Sequence, residues 1–204
     1  MAKAPVPGRV KTRLSPPLSG EEASRIAAAA LADTLTAVAA CGARRRILAL
    51  DGAPGSWLPG GFDVVPQVDG PFGRRLAAAW SAVGGPGLQI GMDTPQVTPA
   101  LLDASLDRLG QAGVDAVLGL AEDGGWWAIG FRRPPTGAFD GVPMSQPTTG
   151  AAQATRLAQL GLRVAALPRL RDLDTIDDAV ALAEEHPASR TAAAVRAALV
   201  TPAG

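Results

Sequence analysis

Apolar residues recur at helical spacing over residues 20–40, where Ile26, Ala30, Leu31, Leu35 and Val38 follow Ser19-Gly-Glu-Glu. That pattern predicts a helix capped by Ser19, with acidic residues at the positive end of its dipole. Residues 46–50 form a short apolar run between a polar stretch and a Gly/Pro loop, which predicts a strand covered on both faces. Residues 62–65 predict another short strand, 72–83 a helix, and 87–91 a third strand ending at Asp-Thr-Pro. Thr98, with Pro99 behind it, caps a helix expected to run to Gly113. Residues 116–120 and 126–131 predict a fourth and a fifth strand. Asp123-Gly124-Gly125 between them suggests a tight turn that approaches a ligand or a neighbouring strand. A helix near 150–160, a strand at 163–167 and helices at 175–185 and 189–199 complete the pattern.

Strands alternating with helices predict an α/β layered sheet, mostly parallel, in one domain spanning residues 1–204. Ligands of such sheets sit beyond the carboxyl ends of the strands, and Asp93, Asp172 and Asp174 all follow predicted strands. A chain of 204 residues with 47% hydrophobic content can build a full core. With 19 basic and 19 acidic side chains the formal net charge is zero, so no long-range field favours nucleic acid or an anionic membrane. Any anionic ligand must be held locally. The single cysteine, Cys41, reads as a small buried hydrophobe, and the compartment as cytoplasmic. No run approaches the roughly 18 apolar residues of a membrane span.

Four segments carry candidate chemistry. Lys3, Lys11 and Arg13 surround a Pro/Gly turn and can gather about one phosphate, with Gly8 letting the backbone approach. The plain alternative is a basic, disordered terminus. Asp93 can hold a hard cation such as Mg²⁺, although capping a turn or helix is the commoner role for an Asp so placed. Residues 172–178 hold four carboxylates in seven positions. Asp177 and Asp178 suit the start of a helix, and Asp172 and Asp174 are available to a cation. Glu122-Asp123-Gly124-Gly125-Trp126-Trp127 can present glycine backbone and indole faces to a sugar or base, or form a hairpin turn with core tryptophans. His186 reads as a surface residue.

Together the segments Lys3-Ala-Pro-Val-Pro-Gly-Arg-Val-Lys-Thr-Arg-Leu14, Gly91-Met-Asp-Thr-Pro95, Asp123-Gly-Gly-Trp-Trp-Ala-Ile-Gly130, Phe139-Asp-Gly-Val-Pro-Met-Ser145 and Asp172-Leu-Asp-Thr175 resemble the rSAM/selenodomain-associated transferases of type 1. These belong to the GT-A-like nucleotide-diphospho-sugar transferase superfamily. The resemblance implies a three-layer GT-A, Rossmann-like fold. It also implies a Mg²⁺- or Mn²⁺-dependent transferase acting on a nucleoside triphosphate or nucleotide sugar and a small-molecule acceptor. Carried onto this chain, it makes Lys3, Pro7, Gly8, Lys11, Thr12 and Arg13 the phosphate-binding set and Asp93 the principal metal ligand. Asp174 or Asp172 would be the second ligand, and Asp123, Gly124 and Gly125 would line the acceptor side. Lys11, Arg13 and Asp93 would carry the chemistry, with nucleotidyl transfer favoured, glycosyl transfer second and a non-catalytic nucleotide-binding module third.

The chain departs from that family in several places. Family members carry a hydrophobic strand immediately before the Lys-Ala-Pro motif, whereas this chain starts at Met1. Either the start is assigned too late, or the sheet lacks its first strand and the N-terminal loop is poorly anchored. Met92, Thr94, Trp126 and Met144 also replace the usual residues, which would alter the acceptor pocket.

Overall fold

Parallel pairing begins at the amino terminus in the computed structural model, which describes residues 1–200. Strand β1 (Ala2–Lys3) lies beside β2 (Ile47–Asp51), and β2 beside β3 (Asp63–Pro66), all parallel. A second sheet has the order β4-β6-β5-β7, built from Gly87–Ile90, Trp126–Phe131, Ala116–Leu120 and Val164–Ala166. The sheets meet where β1 passes β4: the Met1 ammonium donates to the Ile90 carbonyl at 3.0 Å. Burial, opposed by the Asp93 charge, pulls that ammonium down to a pKa of about 6.

Among the described residues, six helices cover the sheets: α1 (Gly20–Ala40), α2 (Phe72–Val83), α3 (Pro99–Gly110), α4 (Thr149–Gln159), α5 (Ile176–Glu185) and α6 (Arg190–Val200). On one side Ile26 and Ala30 of α1 pack with Leu182 of α5 and Val195 of α6, while Ala37 of α1 and Leu102 of α3 meet Trp127 and Ala128. On the other, Leu76 and Trp80 of α2 and Leu157 of α4 press on Leu118, Ile129 and Phe131. This is the three-layer α/β arrangement expected. Each of these fully buried large side chains contributes about 1.5–3 kcal/mol through removal from water.

The expected caps at Ser19 and Thr98 are present: Ser19 and Glu22 form a capping box on α1 and Thr98 accepts from Leu101 N, while at α5 Thr175 pairs reciprocally with Asp178. Asp178 is therefore structural, as expected. Helix α3 ends at Gly110 and not at Gly113, because the chain turns back there through Gly113 at φ +82°.

Three expectations need correction or completion. The sheet is parallel except at β6, which is antiparallel to β4 and β5, because a short turn at Asp123–Gly125 leaves no room for a crossover. The first strand is present as two residues. The loop after it is anchored, since Val10 and Leu14 are buried and Leu14 packs with Leu173 and Ile26. Finally, α1 is long and apolar enough to cross a membrane by length and composition, yet half of that stretch is buried inside the protein.

A cavity of about 450 Å³ lies between residues 47–49 of β2 and residues 87–91, with Met1 at one end.

Candidate functional site

The carboxyl ends of β1 and β4 open into a cleft of about 610 Å³. The end of β1 and the segment after it form one wall, presenting Lys3, Arg9, Lys11, Thr12 and Arg13. The floor carries Asp93, just past β4, together with Asp172 and Asp174, which precede α5. Backbone pairing joins the two acidic segments: Leu173 N donates to the Asp93 carbonyl at 2.7 Å, and Gln96 Nε2 donates to the Arg171 carbonyl at 2.7 Å. The sequence separation of roughly 80 residues between the aspartates is thus closed by the fold.

Lys11 and Arg13 are already paired with carboxylates. Lys11 Nζ contacts Asp93 Oδ1 and the Leu173 carbonyl and lies 3.4 Å from Asp174 Oδ1, while Arg13 reaches Asp174 Oδ2 at 3.2 Å. Asp172 stands apart from this pairing. Burial first, then the charges of Asp93, Asp123 and Asp174, push its carboxyl up to about 7, with Lys11 opposing. Among the described residues no three His, Cys, Asp or Glu side chains gather closely enough to enclose a metal. The oxygens that do converge are those of Asp93, Asp174 and the Leu173 carbonyl, and they converge on an ammonium. That donor set suits a hard cation.

The opposite wall comes from the β5–β6 turn and the segment before α4. Asp123 and Gly125 line the cleft, and the Asp123 carboxylate accepts from Gly125 N at 2.7 Å. Gly124 faces elsewhere: a Cβ on it would fall 1.9 Å from the Pro147 carbonyl oxygen, so its missing side chain makes room for that loop and not for a ligand. The pairing of β5 and β6 slips at Gly119/Leu120, where Leu120 faces Trp126 but Gly119 faces Ala128, leaving Trp127 as the extra residue of a bulge. The bulge separates the two tryptophans. Trp127 is buried and donates to the Pro168 carbonyl at 2.9 Å, while Trp126 lines the cleft and stacks on Phe139 with centroids 6.4 Å apart.

Some expected positions fall outside the cleft. Pro7 and Gly8 sit at an exposed turn, where Gly8 takes φ +73° and closely approaches Gly20 at the start of α1; they shape the loop rather than line the site. Thr94 is buried at 1% exposure and does not line the cleft, whereas Met92, Trp126 and Met144 do. Sequence reasoning did not single out Phe72, Arg9, Gln146 or the Leu173 carbonyl, all of which stand at this site. A Phe at the first position of the helix expected over 72–83 was the available signal for Phe72; nothing in the sequence marks one carbonyl.

The family model described as "Uncharacterized protein conserved in bacteria (DUF2064)" matches residues 23–146, more than half of the chain. The chain belongs to this family. The DUF2064 match includes Asp93 and the Asp123–Gly125 turn, while the Lys3 to Arg13 wall and Asp172/Asp174 lie on either side of it. A crystal structure of a "putative nucleotide-diphospho-sugar transferase" from Desulfovibrio desulfuricans G20 superposes with a TM-score of 0.87 at 25% identity, covering 96% of this chain and 91% of that one. The fold is thus that of the nucleotide-diphospho-sugar transferase superfamily. No curated protein matches the chain significantly.

Proposed function

We propose that this DUF2064 protein is a transferase that uses a nucleotide donor, a nucleoside triphosphate or nucleotide sugar, held through Mg²⁺ or Mn²⁺, and transfers to a small-molecule acceptor. The observation that carries the reading is the convergence of Asp93, Asp174 and the Leu173 carbonyl on one cationic position beside Lys3, Arg9 and Arg13. A donor with two or more phosphates supplies the anion that such a wall complements, and the likeness to the Desulfovibrio structure supports a nucleotide donor. The order of motifs further supports membership of the rSAM/selenodomain-associated type 1 group.

In the nucleotidyl reading, an acceptor oxygen attacks the α-phosphorus, the bond to the β-phosphate oxygen breaks, and pyrophosphate leaves. Lys11 and Arg13 meet the negative charge that builds on the departing phosphates, and Lys3 holds the donor against β1. Asp93 and Asp174 would hold the metal, with Asp172 beside them; bound there, it would supply Lewis-acid stabilisation of phosphate charge. Asp123, Gly125 and the Trp126 face would orient the acceptor. The Desulfovibrio description favours a second reading, glycosyl transfer with a nucleoside diphosphate leaving.

Exchange of radiolabelled pyrophosphate into nucleoside triphosphates, run with Mg²⁺ or Mn²⁺, separates the two. Exchange supports nucleotidyl transfer. Release of nucleoside diphosphate from a nucleotide sugar, without exchange, transfers support to the second reading. If no nucleotide or nucleotide sugar raises the melting temperature with either metal, both readings fail, as does that of a non-catalytic nucleotide-binding module.

A further inference from the structure

Lys11 occupies the position at which a cation is wanted. Three oxygens from two segments, Asp93 Oδ1, Asp174 Oδ1 and the Leu173 carbonyl, surround its Nζ, and its side chain is only 6% exposed. Arg13, 71% exposed, meets Asp174 from the solvent side instead. The lysine reaches inward from a backbone at φ 49°, a left-handed conformation uncommon for a residue with a side chain. Contacts with the acidic segments therefore help to hold the turn as it is.

An ammonium and a divalent ion cannot share that position. A lysine is a compact point charge on a flexible stem, so it can leave, but leaving gives up three contacts unless another anion receives it. Lys3 and Arg9 on the same wall mark where an anionic donor would lie.

We propose that Lys11 is a built-in counter-cation that competes with the divalent metal for the position between Asp93 and Asp174, and that a diphosphate-bearing donor admits the metal by drawing Lys11 onto its phosphates. This rests on the metal-dependent reading above and adds an order to it: metal and donor enter together, and metal alone binds weakly. By linkage, the factor by which diphosphate tightens metal binding equals the factor by which metal tightens diphosphate binding, and both shrink when Lys11 is absent.

The test is calorimetric titration with Mn²⁺, alone and in the presence of inorganic pyrophosphate, of the native chain and of Lys11→Met, Lys11→Gln, Lys11→Arg and Asp93→Asn. The Met and Gln variants are expected to bind Mn²⁺ alone about tenfold more tightly than the native chain. They are also expected to gain less from pyrophosphate. Lys11→Arg keeps the charge and the turn and is expected to bind Mn²⁺ as weakly as the native chain, which guards against a folding defect in the neutral variants. If neutral variants bind Mn²⁺ no more tightly than the native chain while Asp93→Asn removes binding, the competition is overturned and the metal reading stands. Mn²⁺ binding unchanged by Asp93→Asn, or absent from every chain with and without pyrophosphate, overturns the metal reading and the competition with it.

Discussion

Asp172 is the side chain at this site whose protonation state depends most on being folded. Its folded pKa of about 7 lies above the ordinary 3.8, so between those values the folded chain holds a proton that the unfolded chain has lost. Stability from this group is fully present below pH 3.8 and is lost as pH rises through 7, by at most ~4 kcal/mol at 1.36 kcal/mol per unit. Asp172→Asn should remove that decline. Urea denaturation of both chains between pH 4 and 8 checks this: their stabilities should diverge with rising pH, the variant becoming the more stable, and parallel curves would count against the shift. Gly124 makes a different kind of demand. Gly124→Ala places a methyl group against the Pro147 carbonyl at a residue with φ +90°, and should cost about 2–4 kcal/mol by combining a clash with an unfavourable backbone. A melting temperature unchanged by that substitution would show that the Pro147 segment yields freely. The aromatic pair offers a third measurement. Trp127 and Trp80 are buried and Trp126 faces the cleft, so donor or acceptor binding should alter tryptophan emission, and Trp126→Phe should remove most of the change.

At the scale of elements, helix spacing and caps were legible in the sequence because they are local. Ser19 with Glu22, and Thr175 with Asp178, satisfy backbone groups within three residues, and the structure shows both pairs. Ser19→Ala should therefore lower stability by about 1 kcal/mol, measurable as a shift in the urea midpoint without a change in slope. The bulge was not legible. Alternation along residues 126–131 gives no sign that Trp127 is an inserted residue, since the slip depends on Gly119, where a side chain would collide with the Trp127 indole. The direction of β6 was half visible: a hairpin turn at 122–127 implies antiparallel pairing with β5, whereas the pairing of β6 with β4 depends on tertiary folding. For the site, residue types were readable and pairings were not. Asp93 and Asp174 stood out as carboxylates after strands, whereas the Lys11 bridge between them needs the 93–173 backbone bond that tertiary folding supplies.

For the whole molecule, the proposed chemistry has a thermodynamic signature independent of turnover. A donor that binds only the folded chain at about a hundred times its dissociation constant stabilises it by ~2.7 kcal/mol, so melting temperature should climb with donor concentration in the presence of Mg²⁺ or Mn²⁺. The same titration on Asp93→Asn should show a much smaller climb. An equal response in the variant would make Asp93 a turn cap, the role its position suggested before its partners were known.

The cleft lies across a seam. Basic side chains that would grip the donor follow β1, whereas Trp126, Met144 and the Asp123 turn that would meet the acceptor belong to the β5–β6 hairpin and the segment before α4. These stretches are more than a hundred residues apart in the chain. On the proposed reading, substitutions in the hairpin would change what receives the transferred group while leaving the basic wall that grips the donor intact. Chains related in this way would then diverge toward different acceptors by ordinary substitution without first losing the donor.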